Sequence, residues 1–322
     1  MKFEGWINIM HMYLRCAGFP NYRGRNEVKN LLEKLEHDNM DKMRAVSFNK
    51  DEMRWEIKAG VTPTMGICMM GTINKENGTY VREHYFPYIN SEDMSLNLPC
   101  FIKRRIDYDT YSGVIDDSKR DISLIFRINN TFEYLDRFLK RKSVAAKAVY
   151  LSAWSSCGRI ILPLADKGLQ SNNDIKIQQK KFDDSFRNFE NTEYNYNEPD
   201  PENTRDFSGF GSLSEELNMY SCAVLRMNKE DIYTIVESYF IPCGIECEVY
   251  SALGYILKIE THKNYYTDEI IYDLVLECNG IPFHVGINKC DLEGEPVVGR
   301  RFKGVVWMQG RVEFEKDGEL KI

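Results

Sequence analysis

The longest alternation of apolar and polar positions in the chain runs from Gly299 to Phe314. Its even positions are Phe302, Gly304, Val306, Met308, Gly310, Val312 and Phe314, an apolar face; its odd positions are Arg301, Lys303, Val305, Trp307, Gln309, Arg311 and Glu313, a polar face carrying one large aromatic. A period of two over this length predicts a long strand with one side in a core.

The same reading places the other elements. Val28, Leu31, Leu32 and Leu35 mark one side of a helix over 27–36, with Asn26 as its N-cap. From residue 43 the period changes to two, with short strands at 44–48 and 54–58. Segments 64–72 and 79–88 flank Asn77-Gly78, a strong hairpin signal. Strands follow at 101–106, 111–115 and 121–128, then a helix over 131–140 capped by Asn130. Segments 148–155 and 159–164 read as a hairpin across Ser156-Cys157-Gly158.

Residues 166–211 are rich in Asn, Asp, Glu, Lys and Gln, with Glu198-Pro199-Asp200-Pro201 near the middle. Such a segment buries too little apolar area to offset its ordering entropy, and reads as a flexible linker or disordered loop. Beyond it, 213–227 and 228–239 read as two helices, the second with Asp231 in a weak capping box. Strands at 249–260, 270–278, 281–288 and 299–314 complete the chain, with Asn279-Gly280 as a tight hairpin. The expected fold is α+β in two domains. Residues 1–165 form an antiparallel sheet with two helices, and 212–322 a helical pair leading into a small barrel of the OB type. Gly304 and Gly310 would permit the barrel to bend, or let another backbone approach.

Composition narrows the class. A length of 322 residues suffices for two cores, and 43% apolar with 28% charged residues is ordinary for a soluble globular protein. A net charge of −7 gives no general attraction to nucleic acid or anionic lipid. Nine cysteines without regular spacing read as reduced thiols in a cytoplasmic protein. The N-terminus lacks the apolar run of a signal peptide, and no stretch approaches a membrane span.

Candidate chemistry is sparse. Arg301, Lys303, Trp307, Gln309 and Arg311 would share a strand face mixing cations with a stacking aromatic, as platforms for single-stranded nucleic acid or sugars do. Residues 245–322 hold nine Lys and Arg against fourteen Asp and Glu, which argues against nucleic acid there. A Trp on that face also packs readily against a neighbouring domain or subunit. Cys243, Cys247, Cys278 and Cys290 lack the paired spacing of a zinc site, and no metal or cofactor is expected. Glu83, His84, Asp107, Asp109, Asp116 and Asp117 could serve a metal-dependent hydrolase or nuclease if they converged; His84 and His284 each also read simply as sheet residues. Phosphate-loop and nucleophile-elbow patterns are missing.

Three segments carry a family resemblance: Met10-His11-Met12-Tyr13-Leu14-Arg15-Cys16-Ala17-Gly18-Phe19, Arg82-Glu83-His84-Tyr85-Phe86-Pro87-Tyr88, and Gly299 to Gly310. The chain resembles an uncharacterised bacterial domain-of-unknown-function family, family three-eight-eight-one, from about Met10 to Phe314. The resemblance implies a bacterial cytoplasmic protein and favours Met10 over Met1 as the start; it brings no catalytic residue. The functional expectation is a non-catalytic interaction protein acting through its C-terminal barrel on an unidentified protein partner. The alternatives are the hydrolase or nuclease, and binding of single-stranded nucleic acid by the barrel.

Overall fold

A computed structural model describes residues 13–93, 95–104, 110–120, 122–163, 231, 236–243 and 246–315. The chain divides into two units, residues 1–160 with 237–322, and residues 161–236. Apart from Ile161 at the end of one strand, every element named below belongs to the first unit. The linker expected over 166–211 lies outside the described residues.

Strand is the dominant structure, in two sheets. The first is a meander of β1 (Arg44–Ser47), β2 (Glu52–Gly60), β3 (Met65–Asn74) and β4 (Tyr80–Ile89), all neighbours antiparallel. Helix α1 (Arg25–Asp38) has Gly24 rather than Asn26 as its N-cap. The Glu27 carboxylate accepts from the Gly24 N–H at 2.9 Å, so the acid one turn in closes the helix end that Asn26 was expected to cap.

The second sheet begins with β5 (Phe101–Arg104), β6 (Tyr111–Asp117) and β7 (Ile122–Ile128), followed by helix α2 (Thr131–Leu139) and β8 (Ala146–Ile161). It is completed by β9 (Tyr239–Pro242), β10 (Val249–Lys263), β11 (Ile270–Cys278), β12 (Ile281–Asn288), β13 (Leu292–Glu293) and β14 (Arg301–Phe314). The path runs β13-β8-β12-β11-β10-β14-β7-β6-β5, with β9 on β10. The Asn279-Gly280 turn between β11 and β12 has positive φ at both residues, 52° and 71°, as a tight hairpin requires.

This architecture corrects the expected fold class. Among the described residues no helical pair leads into an OB-like barrel. The pair falls largely on residues outside the description, and Tyr239, expected at its end, opens strand β9. Nor do the C-terminal strands form a domain of their own. β8 lies parallel to β12 and also pairs with β14, while β14 lies parallel to β7. N- and C-terminal strands thus share one sheet and one core. The hairpin expected at Ser156-Cys157-Gly158 is absent too: β8 runs straight through it. A Cβ on Gly158 would fall 2.3 Å from the Phe302 ring, so this glycine serves close packing, not a turn.

The second sheet separates two cores. Strand β14 places Phe302, Val306, Met308, Val312 and Phe314 in the larger one, with Leu274 and Val285. Its opposite face sends Trp307 into a second core, with Tyr13, Leu14, the apolar side of α1 and the meander. Strand β11 divides likewise: Tyr272, Leu274 and Leu276 enter the first core, Ile271 the second. Asp273, two residues from Ile271, therefore points to the meander side. Among the described residues no helix is long and apolar enough to cross a membrane.

Candidate metal centre

On the meander side of the second sheet, polar side chains from three adjacent strands meet. Lys258, Glu260 and His262 alternate along β10 and so share a face. Asp273 on β11 stands directly opposite Glu260. On β12, His284 lies two residues from Gly286, the direct partner of Asp273, so its ring sits diagonally beside that carboxylate. On β8, Ser152 pairs in register with His284.

Two segments close over this row. The turn between β2 and β3 brings the Thr64 hydroxyl to 3.4 Å from His262 Nε2. That turn is tied to the end of β10 by the Tyr265 N–H, which donates to the Val61 carbonyl at 2.9 Å. The segment after β4 brings an Asp93 carboxylate oxygen to 3.2 Å from His284 Nε2. Leu96 forms a bridge with Val149 and the Ser95 hydroxyl accepts from the Leu151 N–H, so this segment is anchored on β8.

One ligand atom each from Glu260, His262 and Asp273 lie within 4.8 Å of one another. The carboxylate of Glu260 is divided: Oε1 accepts from Lys258 Nζ at 2.6 Å, and Oε2 lies 3.5 Å from His262 Nε2. The Lys258 hydrogen bond is the main cause that lowers the pKa of Glu260, and Glu260 in turn raises that of Lys258. Asp273 is almost fully buried, and its Oδ1 is 2.9 Å from His284 Nδ1. Burial pushes the pKa of His284 down, but hydrogen bonds and charge from Asp273, then Asp93, outweigh it and leave the value raised. The Ser152 hydroxyl beside His284 is fully buried and has no hydrogen-bond partner among the described residues.

Chemically this is a mixed carboxylate–imidazole set on the sheet face, reached by Thr64 and Asp93 from the two covering segments. Three carboxylates, Asp93, Glu260 and Asp273, meet here with the Lys258 ammonium and the His284 ring, which takes Asp273 and Asp93 as its partners. Such donors suit first-row divalent ions. His284 fixes Asp273 and Lys258 fixes Glu260, the outer-sphere support that orients ligands at metal centres.

A family model described as a domain of unknown function, E. rectale gene description (DUF3881), matches residues 14–191 and 204–310. The chain belongs to this family. The expected family resemblance is thereby established over most of the length. No curated protein and no solved structure matches the DUF3881 chain.

The residues singled out in the sequence are placed differently from one another. Trp307 is covered, its ring 4.6 Å from that of Tyr13. Gln309 is fully buried and its amide N–H donates to the Pro87 carbonyl at 2.8 Å. Arg301 is buried and donates to the Glu237 carbonyl at 2.9 Å. Lys303 is half-buried, and Arg311 lies 3.9 Å from the Tyr150 ring centre. These five do not share one open face.

The carboxylates of the N-terminal half also part company. Glu83 accepts from Arg54 at 2.9 Å in the meander, Asp116 accepts from Ser123 at 2.8 Å, and Asp117 pairs with Arg120 at 2.5 Å in the β6–β7 hairpin. Asp107 and Asp109 lie outside the described residues. His84 has both ring nitrogens buried, and its pKa is pushed down to about 3 by burial, then by Arg127 and Arg54. Among the described residues, none of these belongs to a group able to hold an ion.

Sequence reasoning had His284 as a sheet residue and passed over Lys258, Glu260, His262 and Asp273. The available signal was a polar side chain at an inward position of an apolar strand, such as Asp273 within Ile-Ile-Tyr-Asp-Leu-Val-Leu.

Proposed function

We propose that the protein binds a divalent first-row transition ion through Glu260, His262 and Asp273, forming a centre with open coordination positions. The observation that carries this reading is the convergence of their ligand atoms within 4.8 Å. Two ligands on opposite sides of one ion at ~2.1 Å bonds are ~4.2 Å apart, so small side-chain rotations complete the shell. Three protein ligands leave room for water or substrate, the pattern of a Lewis-acid site rather than a closed structural one. We place the protein in a reducing, cytoplasmic setting; eight free cysteines among the described residues support this.

Titration of chelator-treated protein with Mn²⁺ or Zn²⁺ by calorimetry tests the assignment. One ion per chain is expected, with Glu260→Gln, His262→Gln and Asp273→Asn each weakening binding by at least roughly tenfold. Equal affinity in the wild type and a Glu260→Gln/Asp273→Asn double variant would sink it.

A further inference from the structure

We infer that the open position of this centre takes a phosphoryl oxyanion, held between the ion and the Lys258 ammonium, with the Thr64 hydroxyl as a further donor. The inference rests on the metal reading above and adds the ligand class. Its basis is the way Glu260 is shared. Lys258 holds Oε1 at 2.6 Å while Oε2 turns toward His262 Nε2 at 3.5 Å, so the carboxylate can ligate through Oε2 without releasing the lysine. The ammonium then stays beside the ion, yet the Lys258 side chain is 59% exposed. An ammonium has three donors. A group of atoms next to the ion on the solvent side would therefore meet a second positive charge.

The contacts made by Thr64 and Asp93 agree. The Thr64 hydroxyl reaches His262 Nε2 from the turn above at 3.4 Å and can donate to an oxygen on the ion. Asp93 is engaged by His284 at 3.2 Å rather than standing alone beside the cluster. Neither Lys258 nor Thr64 offers the planar fork that selects a carboxylate; a compact ammonium with a hydroxyl and a metal ion matches the tetrahedral spread of phosphate oxygens.

The experiment uses full-length protein saturated with Mn²⁺ and follows ³¹P line broadening of inorganic phosphate. Wild type is expected to give saturable broadening, and Lys258→Gln, at saturating Mn²⁺, to bind phosphate roughly tenfold more weakly, the loss of one charge-assisted hydrogen bond. Lys258→Arg should recover most of the loss. Phosphate affinity within about twofold of wild type in Lys258→Gln, at an uncertainty well below RT ln 10, overturns the inference and leaves the metal site standing. Acetate competing as well as phosphate overturns the phosphoryl assignment. If wild type shows no saturable Mn²⁺ site at all, the metal reading fails first, and the calorimetry reports it separately.

Discussion

The rings of Trp307 and Tyr13 are stacked, 4.6 Å between centres and 25° between planes. This contact joins the start of the described chain to its closing strand. Residues 13–16 form a helical turn whose Tyr13 and Leu14 are buried, in the same core as Trp307 and the apolar side of α1. Trp307→Ala would leave a large void there and is expected to cost ~3–5 kcal/mol. Trp307→Phe should cost less, because a ring remains to face Tyr13. Urea unfolding of the two variants checks this. A loss below about 1 kcal/mol for the alanine variant would show that the aromatic contact does not close the core.

Two glycines on the same strand make a second test. A Cβ on Gly304 would lie 2.7 Å from the carbonyl oxygen of Cys157 on β8, and one on Gly310 would lie 2.6 Å from the Phe126 ring. At Gly304 the obstacle is backbone, which cannot swing aside; at Gly310 it is a ring in a packed core. Gly304→Ala and Gly310→Ala are each expected to destabilise by ~1–3 kcal/mol through overpacking. Thermal unfolding gives the measurement, and a neutral Gly304→Ala would show that β8 and β14 do not approach as closely as this.

Local pattern carried much of the fold. Strands β11 and β12 run from Ile270 to Cys278 and Ile281 to Asn288, the limits that alternation and the Asn279-Gly280 turn prescribe. The apolar and polar faces of β14 separate as their period demands, with Phe302 and Trp307 in different cores. Pairing partners were not legible. Nothing near Ser156-Cys157-Gly158 shows that the Phe302 ring will occupy the space over Gly158 or that β13 will extend the pairing there, so three small residues read as a turn. That one misplaced element allowed the C-terminal strands to be imagined as a separate barrel. The candidate centre was hidden for the same reason. Glu260 and His262 are neighbours along one strand, but Asp273 and His284 join them only through register across β10, β11 and β12. Asp93 and Thr64 arrive from segments roughly 170 to 200 residues away in sequence.

His84 makes stability depend on acidity in a defined window. Its folded pKa is near 3, against 6.5 for the free side chain, first because it is buried and then because Arg127 and Arg54 are near. Between those values the unfolded chain binds a proton that the folded chain does not. Stability therefore rises with pH through this window, and the contribution is complete above pH 6.5 and shrinks as pH falls below it. The slope from this one group approaches ~1.4 kcal/mol per pH unit. Other groups titrate in acid too, so the measurement is a difference. Urea midpoints between pH 6.5 and pH 4.5 should fall less steeply in His84→Gln than in wild type. Parallel profiles would mean that His84 takes its proton in the folded state.

The two carboxylates that flank His284 should respond differently to removal. Asp273 contacts Nδ1 at 2.9 Å with its side chain 2% exposed, whereas Asp93 contacts Nε2 at 3.2 Å with its side chain 61% exposed. An ion pair open to water is offset by hydration and side-chain entropy, so Asp93→Ala is expected to change stability by no more than ~1 kcal/mol. Removing Asp273 leaves a buried imidazole without its charge partner, and Asp273→Ala is expected to cost ~3–5 kcal/mol. The raised pKa of His284 would fall most in the Asp273 variant, because that residue is the larger of the two sources holding it up. Urea unfolding supplies the stability comparison, and NMR titration of the His284 ring supplies the second readout. Equal losses in the two variants would place the strength of this pair at the rim rather than in the sheet.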